Sequence, residues 1–190
     1  DWYFPHIPVM KKDVVRIGTR EVAGVLMVFF CVAFLLSLFS YRSEDISLIQ
    51  SPSNSPTLNF IGPAGAWTAF VLFMGLGMGA YLVPVFVGIW GVLAIFKREG
   101  RVWPKALWML AVLLSVTGLI EMYPAWWQAL TDRLNIGNAG GAIGYLLIRD
   151  LLVPLLGDVG TAILMIAILI LGLILLTEIH PSVLFRSVAL

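Results

Sequence analysis

Residues 60–96, FIGPAGAWTAFVLFMGLGMGAYLVPVFVGIWGVLAIF, carry no charged side chain. The hydrocarbon core of a bilayer is about 30 Å thick and takes roughly 20 helical residues to cross. One straight helix over this run would reach about 56 Å at 1.5 Å per residue. The run must therefore break, or lie partly along the membrane surface. The glycines at 75, 77 and 79 are where its backbone can turn most freely. That leaves a span over about 78–96 and a separate apolar helix over about 63–75. Pro84 falls inside the span and is expected to kink it.

Three further uncharged or nearly uncharged runs flank this one, at about 22–41, 104–123 and 159–177. Pro104 suits the first turn of a helix, and Lys105 can extend its ammonium to the headgroups. Backbone polar groups cannot stay unpaired in lipid, so all of these runs should be helical. Polar and apolar residues do not alternate along them, which argues against a β-barrel. Composition agrees: 60% of the 190 residues are hydrophobic and 12% charged, too few charges to cover a soluble domain. The expected fold is an all-α integral membrane protein with four transmembrane helices. The lone cysteine, Cys31, lies in an apolar run and reads as a small buried hydrophobe. The chain opens on Asp1 rather than Met, so residues ahead of it are expected, and nothing near the start has the form of a signal peptide.

An internal repeat organises these spans. Asn59-Phe-Ile-Gly62-Pro-Ala-Gly65 returns 79 residues later as Asn138-Ala-Gly-Gly141-Ala-Ile-Gly144. Eleven residues separate Gly65 from Gly77, with Ala80 three further on; 12 separate Gly144 from Gly157, with Gly160 three further on. The chain thus reads as two copies of one unit: span, loop, glycine motif, short helix, span. The second short helix, about 141–156, holds Arg149 and Asp150. A charged pair is costly at mid-bilayer, so this helix is expected at the interface, and by analogy so is 63–75. A re-entrant path for both stays open.

The basic residues suggest which side is which. Lys11, Lys12, Arg16, Arg20, Lys97, Arg98, Arg101, Lys105 and Arg186 fall on one side of the four spans, and Arg42, Arg133 and Arg149 on the other. Lys and Arg favour the cytoplasmic side of short loops. Residues 1–21 and the start of a tail at 178–190 are therefore expected inside, with the loops 42–60 and 121–158 outside. The tryptophans at 67, 90, 103, 126 and 127 would then lie near the two interfaces as an aromatic belt.

Chemistry is sparse. No phosphate-binding Gly-x-x-x-x-Gly-Lys-Ser/Thr loop is present. The glycine motifs precede short helices instead of following strands, which excludes a dinucleotide reading. Neither histidine, His6 or His180, lies in a span, so no histidine-ligated cofactor is expected in the membrane, and no cluster has metal-ligand spacing. Glu121, Asp158 and Glu178 sit near span ends and read as solvated charges, which disfavours ion transport. What remains is packing. Gly62, Gly65, Gly75, Gly77, Gly79, Pro84, Gly141, Gly144, Gly157 and Gly160 form small-residue faces suited to helix packing within the chain or to contact between subunits. Lys11, Lys12, Arg16, Lys97, Arg98 and Arg101 either hold anionic lipid or act as topology signals alone.

From about Val22 to Thr177 the chain resembles the N-terminal four-span membrane domain of FtsK/SpoIIIE-type DNA translocases. The resemblance is carried, in order, by Ser40-Tyr41-x-x-x-Asp45, by Asn59-x-x-Gly62-x-x-Gly65-Ala66-Trp67, by Gly77-Met-Gly-Ala80-Tyr81-Leu-Val-Pro84, by Gly140-Gly141-Ala-Ile-Gly144 and by Leu156-Gly157-Asp-Val-Gly160-Thr161. It implies an anchor for a cytoplasmic hexameric motor that moves double-stranded DNA through the closing division septum. It also implies a part in assembling the division machinery, and a place in the bacterial inner membrane. Catalysis would then belong to a motor beyond Leu190, and these residues would touch membrane lipid, other copies and cell-division proteins, not nucleic acid. Two other readings stay open: a structural subunit of a respiratory or photosynthetic complex, and, more weakly, a channel or transporter.

Overall fold

The computed structural model describes residues 18–96 and 102–177, which hold helices and loops and no strand. Helix α1 (Thr19–Phe39) opens with the Gly18 N–H donating to the Glu21 carboxylate at 3.1 Å. That carboxylate also sits well at the positive end of the helix dipole. Helix α2 (Gly62–Leu76) starts with Pro63 in its first turn, where a missing N–H costs no helical bond. A 3₁₀ stretch over Gly77–Tyr81 follows, and then α3 (Leu82–Phe96). Helix α4 (Val102–Met122) leads to a short turn at Pro124–Trp126 and to α5 (Gln128–Leu134). Helix α6 (Gly141–Tyr145) runs through a π-helical stretch, Leu146–Leu152, into α7 (Val153–Thr177), which breaks at Gly157.

Four segments are long and apolar enough to cross a membrane: Thr19–Phe39, Gly62–Phe96, Lys105–Met122 and Gly141–Thr177. The second and fourth are the composite ones, and each is divided at a glycine: Gly77 at φ 55° and Gly157 at φ 70°. Pro84 does not kink a span. The 3₁₀ stretch delays the start of α3 to Leu82, so Pro84 falls in its first turn, where the absent N–H is harmless.

The spans form two antiparallel hairpins. Helix α1 packs along α3, and α4 along α7, while α3 and α4 touch little. Gly24 and Gly91 let the first pair approach backbone to backbone; a methyl group on either would lie 2.8–2.9 Å from the other's carbonyl oxygen. Gly172 seats Val112 in the second pair. Thr19, Phe96, Val102 and Thr177 therefore lie at one end of the bundle. The loops around 40–61 and 123–140 lie at the other, called here the loop end. The outward faces of the spans are apolar: Val25, Leu26, Phe29 and Phe30 on α1 and Ile163, Ile166 and Ile170 on α7 are all exposed. Such continuous apolar surface needs lipid as its solvent.

The tightest core sits at the loop end. It joins Leu38, Tyr41 and Ile46 to Ala66, Ala69 and Phe73 of α2, then to Met78, Ile120 and Ile136. The Phe73 ring lies 5.2 Å from Tyr41 and 5.5 Å from Tyr81, centroid to centroid. These are ordinary distances for tilted and edge-on aromatic pairs.

Candidate interaction site at the loop end

Two buried carboxylates organise the loop end. Asp45, in a single 3₁₀ turn beyond α1, accepts from the Asn54 side-chain amide at 2.9 Å, the Leu58 N–H at 3.0 Å and the Asn59 N–H at 2.9 Å. Asn59 is itself buried. Its amide donates to the Ser37 carbonyl at 2.9 Å and its oxygen accepts from the Ile61 N–H at 3.1 Å. Ser40 Oγ accepts from the Phe60 N–H at 3.0 Å. The long loop after α1 is thus tied back onto the helix it leaves and presents the turn that starts α2. Charge-assisted bonds of this kind are about twice as strong as neutral ones. Tyr41 is buried beside this network. Burial first, and the Glu44 carboxylate second, push its phenol up to about 12, so it stays neutral.

Glu121 plays the second part. Instead of a solvated charge at the end of a span, it is a buried side chain, 4% exposed, that accepts from the Gly140 N–H at 2.8 Å. The loop carrying Asn138–Gly141 folds back over the end of α4, which removes Glu121 from solvent. Arg149 reaches the Glu121 carbonyl at 3.4 Å, a cation at the negative end of a helix dipole. Asp158 is exposed as expected, whereas Glu178 lies outside the described residues. In each copy of the repeat, the N–H two residues after the asparagine is taken by a side-chain oxygen: Asn59 for Ile61, Glu121 for Gly140.

The copies share more than sequence. Gly62 and Gly141 both open a helix at positive φ, 71° and 63°, and both donate to the asparagine carbonyl three residues back, at 2.8 and 3.0 Å. Gly77 and Gly157 both form an elbow at positive φ. The one-residue difference in spacing has a structural cause. Gly62 to Gly77 is 15 residues and Gly141 to Gly157 is 16; the extra residue is taken up by the π-helical stretch Leu146–Leu152, since i→i+5 bonding holds more residues per turn.

The two units meet where the elbow of the first crosses the turn of the second. The Met78 N–H donates to the Ala139 carbonyl at 2.8 Å. A methyl group on Gly77 would overlap the Ala139 carbonyl oxygen, and one on Gly141 would lie 2.6 Å from the Gly75 carbonyl oxygen. Thr117 of α4, with no exposed surface, is the point on which Gly79, Gly140 and Gly144 converge. Its hydroxyl has no hydrogen-bond partner among the described residues.

The glycine positions singled out from sequence therefore divide. Gly77, Gly79, Gly141 and Gly144 lie in this crossing, with Gly75 at its edge. Gly65 instead packs inside the first unit, against Asn59, Ile61 and Ser37, and Pro84 is buried at the start of α3. Gly62 and Gly157 face open space, and Gly160 meets only Leu156 of its own helix. Lys11, Lys12, Arg16, Lys97, Arg98 and Arg101 lie outside the described residues. Asp45, Asn59 and Gly140 were visible in sequence only as parts of motifs, and Thr117 had no signal beyond small or hydroxyl residues in a row. Between the exit of α1 and α5 lies a cleft of about 600 Å³ bordered by Arg42, Glu44 and Arg133. Among the described residues no group of three or more His, Cys, Asp or Glu side chains is placed to hold a metal ion.

Four antiparallel spans built as a duplicated hairpin, with a hydrogen-bonded cap at one end, define a multi-pass membrane domain. The 4TM region of DNA translocase FtsK/SpoIIIE matches residues 17–189, and the chain belongs to that family. It is similar to the DNA translocase FtsK of Pseudomonas syringae pv. syringae (strain B728a), 30% identical over 182 residues that cover 90% of this chain and 22% of the relative. To the DNA translocase FtsK of Pseudomonas aeruginosa (strain PAO1) it is 30% identical over 168 residues, 83% of this chain and 20% of the relative. To that of Shewanella oneidensis (strain MR-1) it is 31% identical over 150 residues, 76% and 16%. The chain thus spans about a fifth of the length of the curated relatives it matches. No solved structure matches it. The resemblance read from the glycine motifs is borne out, as is the all-helical four-span fold.

Proposed function

We propose that this chain is the membrane anchor and assembly domain of a septal DNA translocase acting in cell division and chromosome segregation. The observation that carries the reading is the family match over 17–189, together with relatives named DNA translocase FtsK that are about four times as long. In this reading the four spans hold a motor at the inner membrane, and catalysis belongs to that motor. The domain acts by binding: lipid through its outward faces, other copies of itself in a homo-oligomer (a hexamer by resemblance), and cell-division proteins at the loop end. The loop end faces out and the basic end faces the cytoplasm, with both termini inside. The short helices α2 and α6 to Leu156 rest at the interface. The uneven distribution of Lys and Arg supports this orientation.

The test is the gene itself. The open reading frame should continue beyond Leu190 into an ATPase with a phosphate-binding loop. An in-frame stop soon after Leu190 removes the motor-anchor role. Orientation is checked separately with reporters: one fused after Thr177 should be active in the cytoplasm, and one inserted at Ser53 should be active in the periplasm.

A further inference from the structure

The contact between the two units runs one way only. The elbow of unit one, at Gly77, is covered by the turn of unit two, at Ala139–Gly141. A two-fold arrangement would also seat the elbow of unit two, at Gly157, on the turn of unit one, at Phe60–Gly62. It does not: a methyl group on Gly157 or on Gly62 would meet nothing within 4 Å. The equivalent positions differ accordingly. Leu76 is 8% exposed and its counterpart Leu156 48%; Ala139 is 3% exposed and its counterpart Phe60 74%. The chain therefore carries one complete heterologous contact and, at its two sides, the unmatched halves of a second. A heterologous contact repeated from copy to copy closes a ring when its rotation divides the circle, and otherwise builds an open array.

We propose that the Gly157 elbow of one chain docks on the Asn59–Gly62 turn of a second copy of this chain, repeating between subunits the contact that joins the two units within one. The proposal deepens the homo-oligomer reading above and rests on it.

Three features fit the pairing. The elbow and turn glycines keep the same positive φ in both copies, so the backbones to be mated have the same form. Asp158 and Phe60 stand at the repeat positions of Met78 and Ala139, whose backbones share the internal 2.8 Å bond. One flanking pair exchanges its volumes. Within the chain, Gly75 faces the large Ile143; between chains, the large Leu155 faces Ala64, the counterpart of Ile143. Phe60, Ile61, Leu155 and Val159 are exposed apolar residues at this seam. They are larger than the glycines and alanine they replace, so the subunit contact is filled by side chains where the internal one is backbone on backbone.

The experiment uses the full-length protein in its own membranes, with Cys31 replaced by serine. Phe60→Cys and Asp158→Cys are placed on separately tagged copies and co-expressed. Their internal counterparts are backbone-bonded neighbours, within the reach of a disulfide. Mild oxidation should give a dimer carrying both tags, and the double variant F60C/D158C should give a ladder of covalent multimers. A control pair on lipid-facing positions, Phe29→Cys with Ile170→Cys, should give neither. Native mass spectrometry of the uncrosslinked protein is read alongside. An oligomer that crosslinks at the control pair and not at 60/158 overturns this interface and leaves the oligomer reading standing. A monomer in native mass spectrometry overturns both. Because Ala64 is exposed within the chain, Ala64→Trp should leave helix content unchanged while reducing the mass to that of a monomer. An oligomer that survives A64W and fails to crosslink counts against the proposal twice over.

Discussion

The Met78 N–H donates to the Ala139 carbonyl oxygen at 2.8 Å, and this bond ties the elbow of the first hairpin to the turn of the second. It is possible only because Gly77 and Gly141, at the crossing, have no side chains. Alanine at Gly77 would meet backbone, which cannot swing away, and would hold a conformation that costs of order 1–3 kcal/mol for a residue with a side chain. Gly77→Ala and Gly141→Ala should therefore lower the unfolding midpoint in detergent far more than Gly137→Ala, which faces open space at ordinary φ. Gly62→Ala, open but at positive φ, should fall between them. Equal midpoints for G77A and G137A would show that the crossing does not hold the units together.

Asp45 tests the loop. Its carboxylate serves three donors. Asparagine in its place offers one oxygen and turns an N–H group toward one of those donors. Leaving a buried donor unsatisfied costs about 1–3 kcal/mol, more where a charge was involved. Asp45→Asn should speed amide hydrogen exchange at Leu58 and Asn59 by at least tenfold and sensitise residues 46–58 to protease, with the spans unaffected. Unchanged protection at both amides would mean the carboxylate is not what orders this loop.

How much of this could be read from sequence depends on which forces are local. The four apolar runs, a break among Gly75, Gly77 and Gly79 and the duplication are properties of runs and spacings, and the structure has all of them; that the breaks fall at Gly77 and Gly157 themselves is seen only in the fold. The fate of Glu121 is not local. Nothing around Ile120-Glu121-Met122 says that a loop 19 residues on will lay its Gly140 N–H on that carboxylate. Pro84 follows the same logic: its effect depends on where α3 begins, and the 3₁₀ stretch after Gly77 sets that start. Helix α5 had no apolar run to mark it, only seven residues closed by Asn135 in the left-handed conformation. The glycines were legible as a class; which of them meet a neighbour was decided by tertiary packing.

Glu121 gives a prediction that separates charge from hydrogen bonding. Glutamine keeps an oxygen for the Gly140 N–H, whereas alanine leaves that buried N–H alone and opens a cavity over Thr117. Glu121→Gln should shift the unfolding midpoint little, and Glu121→Ala should cost about 1–3 kcal/mol. The same order should appear in exchange at the Gly140 amide. Large and equal losses for both variants would instead assign Glu121 a role as a charge.

The π-helical stretch makes the boldest test, because it treats a one-residue difference between the copies as a removable insertion. Leu151 is exposed within it. Its deletion brings Gly141 to Gly157 down to 15 residues, the spacing of the first copy, and lets the stretch relax to i→i+4 bonding without turning Gly157 away from its place. Val71 is also exposed but lies in regular α-helix. Its deletion rotates everything before or after it by about 100°, which takes either Phe73 and the Gly77 elbow, or Ala66 and Ala69, out of the core. The Leu151 deletion should retain a cooperative unfolding transition within a few degrees of the parent, and the Val71 deletion should not. If both deletions unfold, the π stretch is a required part of the second unit, and the two copies are not interchangeable at this point.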